Sequence, residues 1–415
     1  MAYVDLDYDL TEEQKAAQDM AKRFALEVVR PKGIALDKLA DPADVADKGS
    51  ELWDVFRTYR ELGLHKRGLP QAIGGLAGSV DPYSSYLINE QLGYGDGGLS
   101  ISLSAAGSPF AYAGLSEDPE IRGWAEDYIN DTSGEIVGCW AITEPDHGSD
   151  WVHSGEENMG QEKFAPQLRA VKKGNEYILN GQKSAWVSNG TIASHASLHV
   201  SLDPSMGMHG TSVCILPLDL PGISKGKALN KHGQRALNQG EIFFEDVVIP
   251  EKYMMVDLAT VKDLRQATMG VDVGFIAGPN TGMATTFAGV AWSALDEGIR
   301  YAKERIQGGV PIFEHQSIKL KLMRMFQLVE AAKSFSRRNF MYTVNHTTGS
   351  SPHAVSAKAF ATETAFNVAS EAMQIHGGNG LTKEYCIEKI LRDARASMIE
   401  DGTNESLLIS AAGFL

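Results

Sequence analysis

Two apolar stripes at helical spacing, in the last third of the chain, restrict its architecture more than anything else in the sequence. Ala361, Ala365, Val368, Ala372 and Ile375 recur every three or four residues, the period of one face of an α-helix. Ile318, Leu322, Met325, Val329 and Ala332 do the same. A long helix with such a face must bury it, and two in succession predict a bundle. Core packing accounts for both stripes without any cofactor role.

Upstream the texture changes. Short β-rich runs cover 136–142, 177–179, 197–202, 213–218 and 242–249, parted by turn signals such as Asp203-Pro204 and Pro221-Gly222. Their spacing predicts a small antiparallel barrel or sandwich rather than βαβ units. Residues 151–169 read as an exposed polar excursion between strands. Nearer the start, Thr11 and Gln14 form a capping box. It predicts a helix that begins there and stops near Pro31. Between 50 and 135, helical stretches alternate with glycine-rich breaks at Gly74-Gly75 and 93–98. The chain is thus an α+β protein with a helical domain over 1–135, a β domain over 136–255 and a helical domain over 256–415.

Composition excludes several classes. Of 415 residues, 38 are Lys or Arg and 53 are Asp or Glu, a net charge of −15. Nucleic-acid binding needs a basic face for phosphates, and an anionic membrane surface needs the same. No run of 18 apolar residues suggests a membrane span. The acidic start lacks the apolar core of a signal peptide. Cys139, Cys214 and Cys386 form no CxxC pair, so neither a disulfide scaffold nor a zinc ribbon is indicated. A reducing cytoplasm fits. Nor does any metal-ligand spacing such as HExxH occur.

Three segments carry chemistry. Residues 141–150, AITEPDHGSD, leave a strand. Gly148 permits a tight turn with exposed backbone N–H groups, flanked by the hydroxyls of Thr143 and Ser149. The segment suits a heterocycle edge or a phosphate, and equally an ordinary strand-end turn. Residues 374–381, QIHGGNGL, end a helix in a glycine cluster. That is either a helix C-cap or a surface for close approach of a dinucleotide, outside any Rossmann context. Residues 398–405, MIEDGTNE, place three carboxylates around a glycine. They read as a solvated turn or as a general base on a turn.

Together these segments resemble the FAD-dependent acyl-CoA dehydrogenases. Thr143-Glu144-Pro145 through Ser149-Asp150 is similar to that family's first signature. Residues 374–380, then Leu391-Arg392-Asp393, then residues 402–405, are similar to its second. Between them, WVSNG at 186–190, FFEDV at 243–247, YAKER at 301–305 and His315-Gln316 follow in the family's order. The resemblance runs from about residue 8 to 410. It implies an N-terminal helical domain, a central antiparallel β-barrel domain and a C-terminal four-helix bundle. It further implies a homotetramer or dimer, an acyl-CoA substrate and an electron-transfer flavoprotein as acceptor. Thr143, Trp186 and Ser188 would contact the flavin ring, and Ser149 would face both flavin and the CoA arm. Arg305, Gln316, Gln374, Gly377 and Gly378 would hold the rest of FAD, partly across the subunit interface, with Thr403 and Glu405 near the chain end.

The departures from the family pattern bear on mechanism. Asp401 stands where the usual members carry a Glu base, and its carboxylate reaches about 1.5 Å less far. Such a displacement costs about 10²-fold where geometry is strict. The alternative position for that Glu is Pro279, which cannot act as a base. The neighbouring family Arg is Asn280, which with Ser149 and Gly402 is expected to touch the substrate. Residues 270–282 look unlike the family norm. Asp401 itself, Glu400 on a reset turn, or Asp96 in the glycine-rich break could serve as the acid–base group, though Asp96 reads first as an Asp-Gly turn residue. With Gly95, Gly97, Gly98 and Gly308 widening the pocket, Asp96 suggests an alicyclic thioester such as cyclohexane- or cyclohexene-carboxyl-CoA. The competing expectations are a straight- or branched-chain substrate with Asp401 as a shortened base, a flavoenzyme of the same fold that does not desaturate, or an inactive flavin-stabilised subunit. His147 would cap its turn or touch the CoA arm.

Overall fold

A computed structural model describes residues 9–255, 276–346 and 351–415. The first helix, α1 (Glu12–Phe24), starts at the expected capping box: Gln14 N–H donates to the Thr11 hydroxyl while the Gln14 side chain accepts from Thr11 N–H. It does not stop at Pro31. A π-helical turn at Ala25–Val29 leads into α2 (Arg30–Asp37), and Pro31 sits in the first turn of that segment, where its missing N–H costs nothing. After α3 (Glu51–Glu61), α4 (Pro82–Gly95) and α5 (Gly97–Ala105) meet at Asp96, the only residue between them. Helices α6 (Ser108–Ala113) and α7 (Pro119–Asn130) complete the N-terminal region.

The β region is one curled seven-stranded sheet: β1 (Gly138–Ala141), β2 (Arg169–Lys173), β3 (Glu176–Lys183), β4 (His195–Ser201), β5 (Thr211–Pro217), β6 (Ile223–Lys225) and β7 (Ile242–Pro250). Its order is β1-β4-β2-β3-β7-β6, with β5 also on β4. It is mostly antiparallel, but β4 runs parallel to β1 and to the end of β2. Strand β2 has no apolar run to announce it: Val171 is 61% exposed and only Ala170 is buried. Residues 151–169 are not a bare excursion. They fold as short 3-10 turns whose Trp151 and Met159 pack on Met208 in a small core of their own.

The C-terminal region packs α8 (Gly278–Glu304), α9 (Gln316–Asn345), α10 (Ser351–His376) and α11 (Cys386–Ser397) into a bundle, followed by α12 (Asn404–Ala412). Both apolar stripes lie inside it. Ala361, Ala365, Val368, Ala372 and Ile375 are buried, as are Leu322, Met325, Val329 and Ala332, with Ile318 at the margin. Among the described residues no helix is long and apolar enough to cross a membrane.

The glycines expected to widen a pocket instead let elements approach. A Cβ on Gly95 would lie 3.0 Å from the Ala25 carbonyl oxygen, one on Gly97 3.2 Å from Val290, and one on Gly98 3.1 Å from Gln234. Gly308 turns a short exposed hairpin between Ile306–Gln307 and Val310–Pro311.

Candidate active site

A cavity of about 1210 Å³ opens where the three regions meet. That exceeds the usual range for a single small ligand, about 300–1,000 Å³. Its walls carry Thr143, Ser149, Trp186, Ser188, Asn280, Asp401 and Gly402. The structure therefore brings seven of the residues singled out in the sequence, from both signatures, the connection between β3 and β4, and α8, onto one surface.

The first signature is fixed from below. Glu144 accepts from Lys183 at 2.7 Å, with both side chains fully buried, and from the backbone N–H groups of Gln167 and Leu168. Lys183 also donates to the Ile142 carbonyl at 3.0 Å. His147 does cap the turn, through Asp150 at 2.6 Å. On the next strand connection Trp186 stands 59% exposed on the cavity wall. A large aromatic face that the chain leaves bare is a stacking platform for a flat ring.

The second signature forms the opposite boundary of the turn. Asp401 adopts φ +52° and Gly402 φ +94°. Asp tolerates this left-handed region better than most side chains. At Gly402 a Cβ would meet Val152 at 2.5 Å, so the position is confined to glycine on two counts. Lys358, fully buried on α10, donates to the Gly402 carbonyl and to the Asn404 side chain, both at 2.9 Å. Thr403 N–H donates to the Ser149 hydroxyl at 3.1 Å, which ties the two signatures together. The Thr403 hydroxyl is spent capping α12.

Electrostatics distinguish this turn. Asp401 is exposed at the cavity wall. Desolvation by the protein around it raises its carboxyl above the usual range, against the pull of Lys358. Desolvation likewise pushes Glu400 up to about 7, opposed by a hydrogen bond from Gln234 and by Lys231. Burial pushes Lys231 and Lys358 down to about 8 against the facing carboxylates. Lys231, Gln234 and Lys358 carry no motif and were not among the sequence candidates. One signal existed for Lys358: it extends the stripe of Ala361, Ala365 and Val368 backward by three residues, so a lysine had to lie on a buried face.

Asp96 does not line this cavity. It is buried, caps α5 through Leu99 N–H at 2.9 Å, and pairs with Lys389 at 2.5 Å. Lys389 also pairs with Asp393. A carboxylate so fully partnered on a helix cap and an ammonium has no substrate to reach, which corrects its reading as a base. Arg305, Gln316, Gln374, Gly377 and Gly378 are exposed and off the cavity. They cluster at one end of the bundle, where Tyr301 of α8 stacks on His376 of α10 with ring centroids 4.1 Å apart. Glu405 is exposed as well. Of the divergent segment 270–282, residues 270–275 lie outside the described residues.

The cavity suits a flavin. It has the volume for a ring and an acyl group together, the bare Trp186 face, and a buried acceptor, Asn280 Oδ1, without a partner among the described residues. Among those residues no group of His, Cys, Asp or Glu could hold a metal ion.

Comparisons with known proteins agree with this geometry. The N-terminal, middle and C-terminal domains of acyl-CoA dehydrogenases match residues 11–117, 139–247 and 280–414. The chain is 31% identical over 405 residues to a probable acyl-CoA dehydrogenase of Bacillus subtilis, covering 96% of this chain and 97% of the relative. It is 29% identical over 401 residues to a cyclohex-1-ene-1-carbonyl-CoA dehydrogenase of Geobacter metallireducens, covering 95% and 96%. The structure of butyryl-CoA dehydrogenase from Megasphaera elsdenii superposes with a TM-score of 0.81 at 27% identity, over 99% of each chain. The chain therefore belongs to the acyl-CoA dehydrogenase family, FAD-dependent oxidoreductases that act on the CH–CH bond of acyl-CoA thioesters.

Proposed function

We propose that this enzyme desaturates its thioester in the central cavity, with Asp401 as the base that removes the proton next to the thioester carbonyl. The observation that carries the reading is the placement of Asp401: on the cavity wall, at a left-handed turn, with Lys358 anchoring the next carbonyl. Desolvation raises the proton affinity of its carboxylate, and a carboxylate with raised affinity is the stronger base. An α-proton is still a weak acid, so the thioester oxygen needs a hydrogen-bond donor; the Asp401 N–H is the candidate. Bound FAD supplies the acceptor for the hydride lost from the neighbouring carbon.

Thr143, Trp186 and Ser188 are assigned to the flavin ring, Ser149 to flavin and the CoA arm, and Asn280 and Gly402 to the substrate. Arg305, Gln316, Gln374, Gly377 and Gly378, exposed on one end of the bundle, suit the remainder of FAD in a neighbouring subunit of a homotetramer or dimer, with Thr403 and Glu405 nearby. Electron-transfer flavoprotein is the proposed acceptor.

A second reading narrows the substrate to alicyclic thioesters. It draws on the shorter base Asp401, on Pro279 in place of an alternative base, and on the similarity to the Geobacter metallireducens relative. Anaerobic bleaching of the oxidised flavin separates the readings. Cyclohexane-carboxyl-CoA, cyclohexene-carboxyl-CoA and butyryl- to palmitoyl-CoA are added singly. Bleaching by ring thioesters alone supports the alicyclic class, and bleaching by straight chains rejects it. Bleaching of Asp401→Asn at the parent rate would sink Asp401 as the base.

A further inference from the structure

Glu400, next to the base, is, among the described residues, the one carboxyl on the cavity wall that the reaction as described leaves unused. Its Oε2 accepts from Gln234 Nε2 at 3.0 Å. Gln234 is itself held in a strained setting. Its φ is +51°, its backbone N–H donates to the Asp393 carboxylate, and its side chain also donates to the Asp393 carbonyl at 3.2 Å. A buried non-glycine residue kept in this region is a cost the surroundings must offset, and such costs concentrate at functional positions. Lys231 faces Glu400 from the same loop. It donates to the Leu237 carbonyl at 2.8 Å and to Gln239 at 2.7 Å. Gln239 in turn donates to the Trp186 carbonyl at 3.1 Å and the Ser188 hydroxyl at 3.3 Å. Two hydrogen-bonded groups on one loop thus flank the site: Gln234 holds Glu400 on the base turn, and Lys231 with Gln239 holds the strand connection assigned to the flavin ring; Lys231 acts on Glu400 through its charge alone.

We propose that Glu400 is a positioning residue for the reaction: a second carboxyl, clasped by Gln234 and faced by Lys231, whose charge state sets the strength of Asp401 as a base. The proposal rests on Asp401 being that base. Two neighbouring carboxyls in an enclosed site do not both ionise freely, because each charge opposes the other. Among the described residues, the charged and titratable groups around Glu400 are Asp401 on its own turn, Lys358 from α10, Lys231 and His232 from the 230–239 loop, and Arg395 and Asp393 from α11. With Glu400 neutral, Asp401 ionises uncontested and is a modest base. Once Glu400 ionises, its charge raises the proton affinity of Asp401 and strengthens it. Enclosure puts that change near pH 7, and Lys231, charged until about pH 8, limits the repulsion.

The test is the pH dependence of the single-turnover rate of flavin reduction in the holoenzyme, with whichever thioester bleaches the parent. The parent rate is expected to rise about threefold to tenfold across a step near pH 7. Glu400→Gln is expected to lose the step and stay at the low-pH rate. Lys231→Met and Gln234→Leu each remove something that favours the ionised carboxylate, and are expected to move the step up by about one unit. Glu400→Asp restores a step. A carbon-13 titration of carboxyl-labelled glutamate in the resting enzyme shows the same midpoint, absent in Glu400→Gln. The proposal falls if the step persists in Glu400→Gln, or if that variant slows the reaction by one factor at every pH, as a merely structural role would. Flavin content and absorbance spectrum establish that each variant is folded. If Asp401→Asn keeps the parent rate, the base assignment falls; if it abolishes reduction while Glu400→Gln keeps its step, only this proposal falls.

Discussion

Asp96 and Asp401 are both carboxylates beside a lysine and a glycine, yet they are built into opposite kinds of surroundings. Asp96 shares Lys389 with Asp393 in direct ion pairs, deep between α5 and α11. Burial alone would lower Lys389, but the two carboxylates overcome it and hold its proton above the usual range. At the base turn the ammonium groups bond to neutral oxygens instead, Lys358 to Gly402 and Asn404, Lys231 to Leu237 and Gln239. Among the described residues, Asp401 and Glu400 have no ion pair. A closed cluster uses its charges to join two elements. An open one leaves them for whatever enters the cavity.

The largest test of that contrast is Asp401→Asn. Removing a general base costs about 10²–10⁴-fold. Flavin reduction should fall by that order, while the urea midpoint barely moves, since Asn also tolerates the left-handed turn. A large loss of stability in this variant would place Asp401 in the closed class.

Lys389→Met reverses the pattern. It leaves two buried carboxylates without their shared cation, and breaking a buried pair costs about 3–5 kcal/mol. Urea unfolding should register that loss. Per folded molecule the reduction rate should stay near the parent's, because Lys389 does not line the cavity. Loss of reduction in a variant that retains its flavin and its stability would contradict the assignment.

The same contrast explains which parts of the molecule could be read in the sequence. The apolar stripes and the Thr11 capping box are local patterns with one physical meaning, and they appear where expected. Pro31 misled because proline halts a helix only in its interior, and here a π-turn makes it the start of a new segment. The glycines around Asp96 read as space because a missing side chain looks the same whether a ligand or a neighbouring backbone fills the gap. Asp96 itself is decided by Lys389, 293 residues away, which no spacing announces. Thr143 and Ser149, in the first signature, and Trp186, in the WVSNG stretch, could be singled out from short motifs, and all three line the cavity. Gln234 could not, because its contacts exist only once α11 lies against its loop.

The pH dependence of stability separates the two lysines by sign. Burial holds Lys358 at about 8 in the folded protein, against a usual 10.5. Between those values the unfolded chain binds more protons, so this lysine's contribution to stability rises with pH. Lys389 is raised instead, so its contribution is complete below about pH 10.5 and is lost only above it. Unfolding curves from pH 7.5 to 10 should therefore show the parent gaining on Lys358→Met, by about 1–3 kcal/mol. The gap to Lys389→Met should stay constant. Parallel behaviour of the two variants would remove the distinction between open and closed clusters.

The smallest effect comes from the backbone of the base turn. At φ +52°, Asp401 occupies a region that alanine adopts only at a cost of roughly 1–2 kcal/mol. Glycine adopts it freely, though it brings more entropy to the unfolded chain, about 0.4–1 kcal/mol. Asp401→Ala and Asp401→Gly should be equally deficient in flavin reduction, since both lack the carboxylate. They should differ in stability, with Asp401→Gly the more stable by about 1 kcal/mol at the urea midpoint. In the closed cluster no comparable gain is available, because Asp96 lies in ordinary extended backbone and its side chain provides both the cap and the ion pair. Equal stabilities for the two Asp401 variants would mean that the turn relaxes when the side chain is removed. The left-handed conformation would then be imposed by Asp401 itself rather than by Gly402, Thr403 and Lys358 around it.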